Sequence, residues 1–196
     1  MTFSKISIIE RAMNERERLF EIIKKYSYEK REVILTSGRK SNFYFDGKQT
    51  TLHPEGAYLT GKLMFEIIKK EAPNIKAVGG PTIGADPIAT AISIVSYLEK
   101  NPIPAFIVRK QPKGHGKNLW IEGNKHLKKG DSVAIVEDVI TTGGSILKAI
   151  DIVEKEGLKV EIVIVLVDRE EGGREEIESK GYKLFSVFKK TEFENE

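Results

Sequence analysis

Two apolar runs in the second half of the sequence, joined by an amphipathic helix, constrain the fold most strongly. Residues Ser132 to Val136 and Val160 to Val167 are almost entirely branched apolar residues, without regular alternation with polar ones. Strands of this kind are buried on both faces. Between them, Ile146 to Glu156 has apolar residues at helical spacing, and Gly157 follows as a stop signal. A strand, a helix and a strand in this order predict a parallel sheet with a right-handed crossover.

The same alternation recurs along the chain. Ala77 to Gly80, Ala105 to Val108 and Lys183 to Phe188 are further runs of strand length. One helix should begin at Pro54, and another after Asp86, which we interpret as a cap followed by Pro87 in the first turn. The expected inner face of this second helix consists of Ile88, Ile92, Val95 and Leu98. We therefore predict an α/β fold with a central, mostly parallel sheet flanked by helices.

The amino-terminal region has a different pattern. Ser7 to Glu10 has the form of a capping box, and apolar residues at helical spacing continue to Tyr26, so we expect the chain to open with a helix. Val33 to Leu35 and Phe43 to Phe45 are short β-prone runs separated by a turn at residues 37–40. We interpret them as a small hairpin that covers another part of the molecule.

Composition excludes several classes of function. The 196 residues include no cysteine, which removes disulfides, thiolate zinc sites and cysteine nucleophiles and fits a reducing compartment. The 32 Lys and Arg nearly balance the 29 Asp and Glu, so the net charge of +3 gives no overall attraction to nucleic acid or anionic membranes. The sequence shows neither the apolar core of a signal peptide nor a membrane-spanning apolar run. We expect a cytoplasmic protein that forms a single domain over residues 1–196.

The most informative segment runs from Glu137 to Ser145. The segment comes directly after a buried strand. It begins with two adjacent carboxylates and continues into a loop of Thr, Gly and Ser that opens a helix. Backbone N–H groups at such a helix start can surround a phosphate, and the loop hydroxyls add donors. Glu137 and Asp138 could accept hydrogen bonds from a vicinal diol, as in a phosphorylated ribose. The loop lacks the endings of a Walker A or Rossmann motif. The alternative is a solvated acidic turn before an ordinary helix.

A second segment, Arg109 to Gly123, concentrates cationic residues between proline and glycine. Its basic residues are Arg109, Lys110, Lys113, His115 and Lys117. We interpret it as a mobile cationic lid. Its positive groups would neutralise the charge that builds on a pyrophosphate as the bond to ribose breaks, and its closure would exclude water. A solvated basic loop and a nucleic-acid contact are the alternatives.

Further along, Arg169 follows the last long apolar run, where it could bind a planar carboxylate through two hydrogen bonds or pair with Asp168 or Glu170.

These segments carry a family resemblance. Glu137 to Ser145 is similar to the phosphoribosyl pyrophosphate (PRPP) motif of the type I phosphoribosyltransferases: two acids, then T-T-G-x-[ST]. Arg109 to Gly116, continuing to Glu122-Gly123, resembles the catalytic loop of the orotate enzymes in that family. Leu35 to Asp46, continuing to Lys48 and then to residues 50–56, resembles their hood and the helix start that follows it.

The resemblance implies transfer of the phosphoribosyl group of PRPP to orotate, which gives orotidine 5′-phosphate and pyrophosphate in pyrimidine (UMP) biosynthesis. It implies a hood over about residues 1–50, with part of the C-terminal segment, and a core over about 51–180. It also implies Mg²⁺ held mainly through PRPP rather than by the protein, and a homodimer whose lid reaches into the neighbouring subunit's site. No nucleic-acid or membrane partner is expected.

The resemblance also assigns roles to residues. The catalytic residues would be Lys113, His115 and Asp138. The PRPP-binding residues would be Arg109, Lys110, Lys113, His115, Glu137, Asp138, Val139, Ile140, Thr141, Thr142, Gly143, Gly144 and Ser145. Orotate would be bound by Thr141, Arg169 and the backbone of Tyr44 and Phe45.

The sequence departs from the family at two places. Some members have lysine where this chain has Thr36, and a Tyr-Lys pair where it has Ile83-Gly84, so those PRPP contacts must be absent or made by other groups. Residues 81–86 still suit a pyrophosphate-binding backbone loop after a strand. Two rival functions are a phosphoribosyltransferase for another base, which the lid and Arg169 argue against, and a regulatory protein that keeps the fold to sense PRPP. Intact Lys113 and His115 argue against the second.

Overall fold

A six-stranded sheet forms the centre of the computed structural model, which describes residues 14–31, 33–34, 40–41, 43–113 and 119–195. Within these residues the strand order is β10-β9-β8-β5-β6-β7, and every neighbouring pair is parallel except the edge pair β6–β7. The strands are β5 (Ala77–Pro81), β6 (Ala105–Lys113), β7 (Leu119–Glu122), β8 (Ser132–Ile140), β9 (Lys159–Asp168) and β10 (Lys183–Lys189). The predicted mostly parallel α/β sheet is confirmed.

Helices cover both faces of this sheet. They are α1 (Glu15–Tyr26), α2 (Lys48–Thr51), α3 (Pro54–Glu71), α4 (Ala85–Leu98), α5 (Gly144–Lys155), α6 (Gly173–Ser179) and α7 (Lys190–Glu194). Side chains of α1, α3 and α4 share one apolar cluster with Val78, Ala134 and Ile164, whereas α5 and α6 pack on the opposite face with Ile135 and Val163. Burial on both faces explains the uninterrupted apolar runs of β8 and β9. Among the described residues, no helix has the length and apolar character to cross a membrane.

Two helix boundaries differ from the sequence predictions. The described part of α1 begins at Glu15 with a capping box between Asn14 and Glu17, and the predicted start at Ser7 to Glu10 lies outside the described residues. The helix α4 begins at Ala85, so Asp86 lies inside its first turn instead of capping it. Thr82 Oγ1 donates to the Asp86 carboxylate at 2.7 Å, which gives this side chain a role in the preceding loop. At the other end of α4, Leu98 is exposed, not buried as expected.

The predicted hairpin between residues 33–35 and 43–45 was wrong in its pairing. The short strand β2 (Val33–Ile34) pairs with β3 (Lys40–Ser41), and β4 (Tyr44–Phe45) pairs with β1 (Tyr28–Glu29). The strand after α1 was not predicted, because two residues are too few to show a period. This region, together with α1, packs against the C-terminal α7: Phe193 stacks on Phe20 at 4.6 Å between ring centroids.

The sheet has a switch point between β5 and β8. From β5 the chain continues to β6 on one side, and from β8 it continues to β9 and β10 on the other. The pairing of β5 with β8 runs as far as Gly79 with Ile135, after which the chain beyond β5 enters α4 and β8 continues alongside β9. A crevice outside the carboxyl ends of strands at such a point is where open α/β sheets bind ligands.

Candidate active site

Two carboxylates lie side by side at this switch point. Glu137 and Asp138 are 7% and 6% exposed. The sequence placed the end of the strand at Val136, but β8 continues to Ile140, because Val139 and Ile140 pair with Val167 and Asp168 of β9. The carboxylates are therefore held by a buried strand and not by a loop.

Burial changes the charge of this pair. The pKa of Glu137 is raised from 4.5 to about 9, first by loss of solvent and then by the negative charge of Asp138. Burial also raises the pKa of Asp138, an effect that nearby Lys48 opposes. The backbone N–H of Asp138 donates to Glu137 Oε1 at 3.2 Å. Both shifts favour a proton held by the pair, which lets it donate as well as accept hydrogen bonds.

The predicted phosphate loop, residues 141–145, follows directly. Gly143 is the N-cap of α5 with φ +82°, a left-handed conformation that favours glycine. The helix α5 has 12 residues and begins directly after the loop, so the N–H groups of its first turn, which lack partners within the helix, lie beside the loop. Thr142 and Ser145 are exposed. The loop and the carboxylates line a pocket of about 350 Å³. A phosphate ester of a diol fits this combination of donors and carboxylates.

The other wall of the pocket comes from the loop after β5, from Lys48 at the start of α2, and from Lys110 on β6. Gly84 lies so close to the carboxylates that a Cβ atom there would be 2.2 Å from Glu137 Oε1 and 2.6 Å from Asp138 Oδ1. Only glycine fits at this position while the carboxylates keep their places. The loop after β5 thus approaches the pocket with its backbone alone.

Arg169 lies buried just beyond β9, one strand away from the pocket. Its backbone N–H donates to Ile140 O at 3.0 Å, which ties it to the end of β8. Its guanidinium donates to the carbonyl of Phe43 at 3.2 Å and to Glu171 Oε1 at 3.0 Å through Nε, and it lies over the Phe43 ring. Asp168 and Glu170, the alternative partners, are bonded to Arg174 and to the Thr191 N–H. A buried guanidinium beside β4 suits a planar carboxylate ligand.

Comparison with known proteins narrows this chemistry. The phosphoribosyl transferase domain model matches residues 48–194. Orotate phosphoribosyltransferase from Aquifex aeolicus is 51% identical over 183 residues, which cover 92% of this chain and 98% of the relative. The orotate phosphoribosyltransferase of Nostoc is 44% identical over 173 residues, which cover 88% of this chain and 82% of the relative. The chain belongs to the orotate phosphoribosyltransferase family.

Solved structures of the family agree with this assignment. The orotate phosphoribosyltransferase of Mycobacterium tuberculosis in complex with Fe(III) dicitrate superposes with a TM-score of 0.80 at 38% identity and covers 92% of this chain and 99% of its own. The same enzyme in complex with PRPP gives a TM-score of 0.76 at 36% identity with the same coverage. Adenine phosphoribosyltransferase from Leishmania tarentolae, at 18% identity and a TM-score of 0.65, shares the fold.

Most of the residues with a predicted PRPP role come together in the pocket. The set that lines it comprises Lys110, Glu137, Asp138, Val139, Ile140, Thr141, Thr142, Gly143, Gly144 and Ser145. Arg109 lies at a neighbouring small cavity and bonds Glu122 at 3.0 Å across the β6–β7 pair. For Lys113 the structure describes the backbone, and His115 lies outside the described residues. The structure thus brings ten of the thirteen predicted PRPP residues together in one pocket, and their roles stay predictions.

The predicted lid differs from expectation at both of its ends. The segment was interpreted as a loop, but Arg109 to Lys113 continue β6, and β7 returns antiparallel to it, with Val108 opposite Ile121 and Lys113 opposite Leu119. Ile121 is buried against the α5 face of the sheet, which fixes the base of this hairpin. Residues 114–118, between the two strands, lie outside the described part of the chain. The expected mobility of the lid stays a prediction.

The expected orotate residues lie around the end of β4. Phe45 is buried, Tyr44 is partly buried under the guanidinium of Arg31, and the ring of Phe43 connects this strand to Arg169. Thr141 lies on the pocket side of the same edge, two residues after Val139, which pairs with Val167. Strand β4, the predicted phosphate loop and a buried arginine thus lie at one end of the sheet.

Sequence reasoning assigned no role to Lys48 and did not foresee why position 84 is glycine. A signal was present for Lys48, because it directly follows Gly47 in a motif attributed to the hood. The close approach of Gly84 to the carboxylates had no signal in the sequence, since it depends on how the β5 loop packs against β8.

Proposed function

We propose that this chain transfers the phosphoribosyl group of PRPP to orotate and releases pyrophosphate. One observation carries the proposal: at the switch point, a phosphate loop and a buried carboxylate pair share one pocket, and a buried arginine lies one strand away. This arrangement offers a place for each part of the reaction. The resulting orotidine 5′-phosphate would serve pyrimidine (UMP) biosynthesis.

PRPP binds, in this proposal, along the pocket. The N–H groups and hydroxyls from Thr141 to Ser145 hold the 5′-phosphate, and Glu137 and Asp138 hold the ribose hydroxyls, one carboxyl donating and the other accepting. Asp138 keeps the ribose oriented while the anomeric carbon gains positive charge. Positioning and charge stabilisation then provide most of the rate enhancement, and no side chain acts as a nucleophile.

Orotate binds with its carboxylate at Arg169, while Thr141 and the backbone of Tyr44 and Phe45 contact the ring. Glu171 illustrates the preference of this guanidinium, because its carboxylate is bonded there at 3.0 Å. A charged hydrogen bond of this kind contributes about 1.5 to 3 kcal/mol, which is enough to favour orotate over uracil by about tenfold or more. N1 of orotate then bonds to the anomeric carbon as the C–O bond to pyrophosphate breaks, and the N1 proton leaves to water or to the departing pyrophosphate.

The leaving pyrophosphate is neutralised by cations from the β6–β7 hairpin: Arg109, Lys110, Lys113 and His115. Lys110 already lines the pocket, and Arg109 fastens the two strands together through Glu122. Closure of the hairpin tip would bring Lys113 and His115 to the same oxygens and exclude water. Lys113 and His115 have catalytic roles because they would contact the group whose charge increases in the transition state.

Magnesium fits this pocket as a companion of PRPP. The oxygen-rich walls suit the ion, but the described residues hold no group of three or more His, Asp or Glu side chains that could bind it alone. PRPP oxygens and water would therefore be its chief ligands, with Glu137 and Asp138 nearby. When bound, it would neutralise part of the pyrophosphate charge.

The proposed domain organisation is a single domain over residues 1–196. A hood over about residues 1–50, with part of the C-terminal segment, would cover a core over about residues 51–180. The contacts of Phe193 with Phe20, Tyr28 and Phe43 support a hood that is joined to the chain's C-terminal helix. Absence of cysteine from the sequence agrees with a reducing compartment, and we place the enzyme in the cytoplasm.

A homodimer completes the proposal. Five large apolar side chains on and beside α2 and α4 are more than half exposed: Leu52, Ile83, Ile94, Tyr97 and Leu98. Leu52, Ile83 and Ile94 line an apolar groove that adjoins the pocket, and Ile83 lines both. An apolar face of this kind suits a second copy of the chain. The lid would then reach the site of the neighbouring subunit.

Hybrid dimers test lid sharing. The Asp138→Asn and Lys113→Ala variants should each lose most activity, but their mixture, dissociated and reassociated, should recover part of it. In a hybrid with shared lids, the site with native Asp138 receives the native lid from the other subunit. If the lids act within their own subunits, every site in the mixture keeps one defect, and no recovery would be seen.

The activity itself is tested by following orotate absorbance with purified protein, PRPP and magnesium, beside uracil and hypoxanthine. We expect consumption of orotate alone, with a severe loss of rate in the Lys113→Ala variant. Turnover of another base would indicate a different phosphoribosyltransferase. PRPP binding without turnover of any base would support the regulatory alternative.

A further inference from the structure

The pocket lacks a lysine from the loop after β5. Some family members have lysine at the position of Gly84, but in this chain a Cβ atom there would overlap the carboxylates of Glu137 and Asp138. Any longer side chain would have to displace them. A cation that faces this end of the pocket must therefore come from another element.

Lys48 is placed to supply it. Residue 48 begins α2, and the preceding Gly47 lies directly against Asp138: a Cβ atom on Gly47 would be 2.7 Å from the Cβ of Asp138. This contact holds the start of α2 against the carboxylate pair. Lys48 lines the pocket together with Ile83 and Gly84, at the side formed by the β5 loop.

The present partner of Lys48 can release it. Lys48 Nζ lies 2.5 Å from Asp46 Oδ1, and its side chain is 42% exposed, so it can change rotamer. Asp46 also accepts from the Gln49 side chain at 3.2 Å and from the Lys48 backbone N–H at 3.3 Å. The Asp46 carboxylate thus keeps hydrogen bonds when Nζ moves away. Such a partly exposed ion pair is weak enough to be exchanged for a stronger anion.

The charges of the pocket favour movement of the Lys48 ammonium group towards a bound diphosphate. Of the described residues that line the pocket, Lys48 and Lys110 are the cationic ones, and Glu137 and Asp138 are acidic. Among the described lining residues, these two lysines are therefore the cations that a diphosphate would meet before the lid residues act. The phosphate loop directly follows the carboxylates along the chain, whereas Lys48 and Gly84 come from two other elements that pack against them.

We propose that Lys48 exchanges Asp46 for the diphosphate of PRPP and so replaces the lysine that is missing at position 84. The inference rests on the proposed function, because it takes the Thr141 to Ser145 loop as the 5′-phosphate site. Lys48 is then a binding residue for the leaving group, and Asp46 holds it at the pocket before PRPP arrives.

Fragment binding tests this assignment. The Lys48→Gln variant should bind inorganic pyrophosphate about tenfold or more weakly by calorimetry, which corresponds to loss of one charged hydrogen bond. Its affinity for ribose 5-phosphate should stay within about twofold of the wild-type value, since that fragment occupies the other end. Lys48→Arg should retain most of the pyrophosphate affinity. Lys69→Gln is the matched control, because Lys69 has similar exposure and an ion pair at 2.7 Å far from the pocket.

A second variant distinguishes a direct contact from a structural effect. Asp46→Asn removes the competitor for Nζ, so pyrophosphate should bind up to about fivefold more tightly, and this gain should vanish in the double variant with Lys48→Gln. Steady-state kinetics should show a raised KM for PRPP in Lys48→Gln with little change in the KM for orotate.

Equal pyrophosphate affinity in Lys48→Gln and Lys69→Gln would overturn the inference. Equal weakening of ribose 5-phosphate and pyrophosphate in Lys48→Gln would also overturn it. The proposed function is judged separately, by turnover of orotate in the wild-type protein. Lys48-dependent pyrophosphate binding in a protein that does not turn over orotate would leave this contact established and the orotate proposal wrong.

Discussion

The two sides of the active site are held in very different ways. The carboxylate pair and phosphate loop lie at the end of β8, a strand of nine residues between β5 and β9, seven of which are buried. The strands β1 to β4, in the proposed hood, have two residues each and, among the described residues, pair with one another, and the hairpin β6–β7 lies at the edge of the sheet. The groups proposed to bind PRPP are thus fixed by the core. The groups proposed to contact the base or to close over pyrophosphate are attached at its margin.

The largest effect should come from disturbing the fixed side. In Gly84→Ala, the added methyl would overlap Glu137 Oε1, so the carboxylates must shift and the ribose loses its position. We expect kcat/KM to fall by about 100-fold, the size expected when reacting groups are misplaced by about 1 Å.

The control for folding is Gly144→Ala, where an added Cβ meets nothing within 4 Å. Its thermal midpoint should match that of the wild type. If Gly84→Ala had wild-type kcat/KM, the close packing of the β5 loop on the carboxylates would have no role in the reaction.

A smaller effect, limited to orotate binding, should come from the side of the active site that contacts the base. In Arg169→Lys, the charge stays but the guanidinium that contacts Phe43 O and Glu171 is lost. We expect the KM for orotate to rise by about tenfold or more, with an unchanged KM for PRPP.

Arg174→Lys is the matched comparison, since Arg174 follows the same strand but bonds Asp168 and the Leu184 carbonyl. That variant should lose stability without a change in the KM for orotate. Parallel kinetic changes in the two arginine variants would contradict the assignment of Arg169 to the base.

The last prediction concerns the pH dependence of stability and not the rate of the reaction. The pKa of Glu137 is about 9 in the folded protein against 4.5 ordinarily, because burial, then Asp138, disfavours its ionised form. The folded state therefore binds a proton that the unfolded chain releases above pH 4.5, so this contribution to stability is complete below 4.5 and is lost as pH rises through about 9. The free energy of unfolding should fall with pH across this window by up to about 1.4 kcal/mol per unit.

Glu137→Gln should remove this part of the slope. Urea unfolding at several pH values between these limits, with the exposed Glu161→Gln as control, measures it. Stability curves of Glu137→Gln and wild type that run parallel would show that Glu137 is ionised in the folded protein.

The contrast between the two sides also explains what the sequence could predict. Long apolar runs and a Thr-Gly-Ser helix start gave the core strands, α5 and the pocket residues from Glu137 to Ser145, because local periodicity and loop chemistry determine them. The pairing of β1 with β4 could not be predicted, since two-residue strands have no period. The exposure of Leu98, the steric demand at Gly84 and the place of Lys48 depend on contacts between elements distant in sequence, which a local pattern does not encode.

A crystal structure of the protein with PRPP tests the account most directly. We predict that the 5′-phosphate lies within hydrogen-bond distance of the backbone N–H groups from Thr141 to Ser145, with the ribose hydroxyls at Glu137 and Asp138 and the diphosphate towards Lys48 and Gly84. A PRPP molecule with its 5′-phosphate away from this loop, or with its ribose remote from the two carboxylates, would contradict the central claim that the end of β8 is the fixed PRPP site.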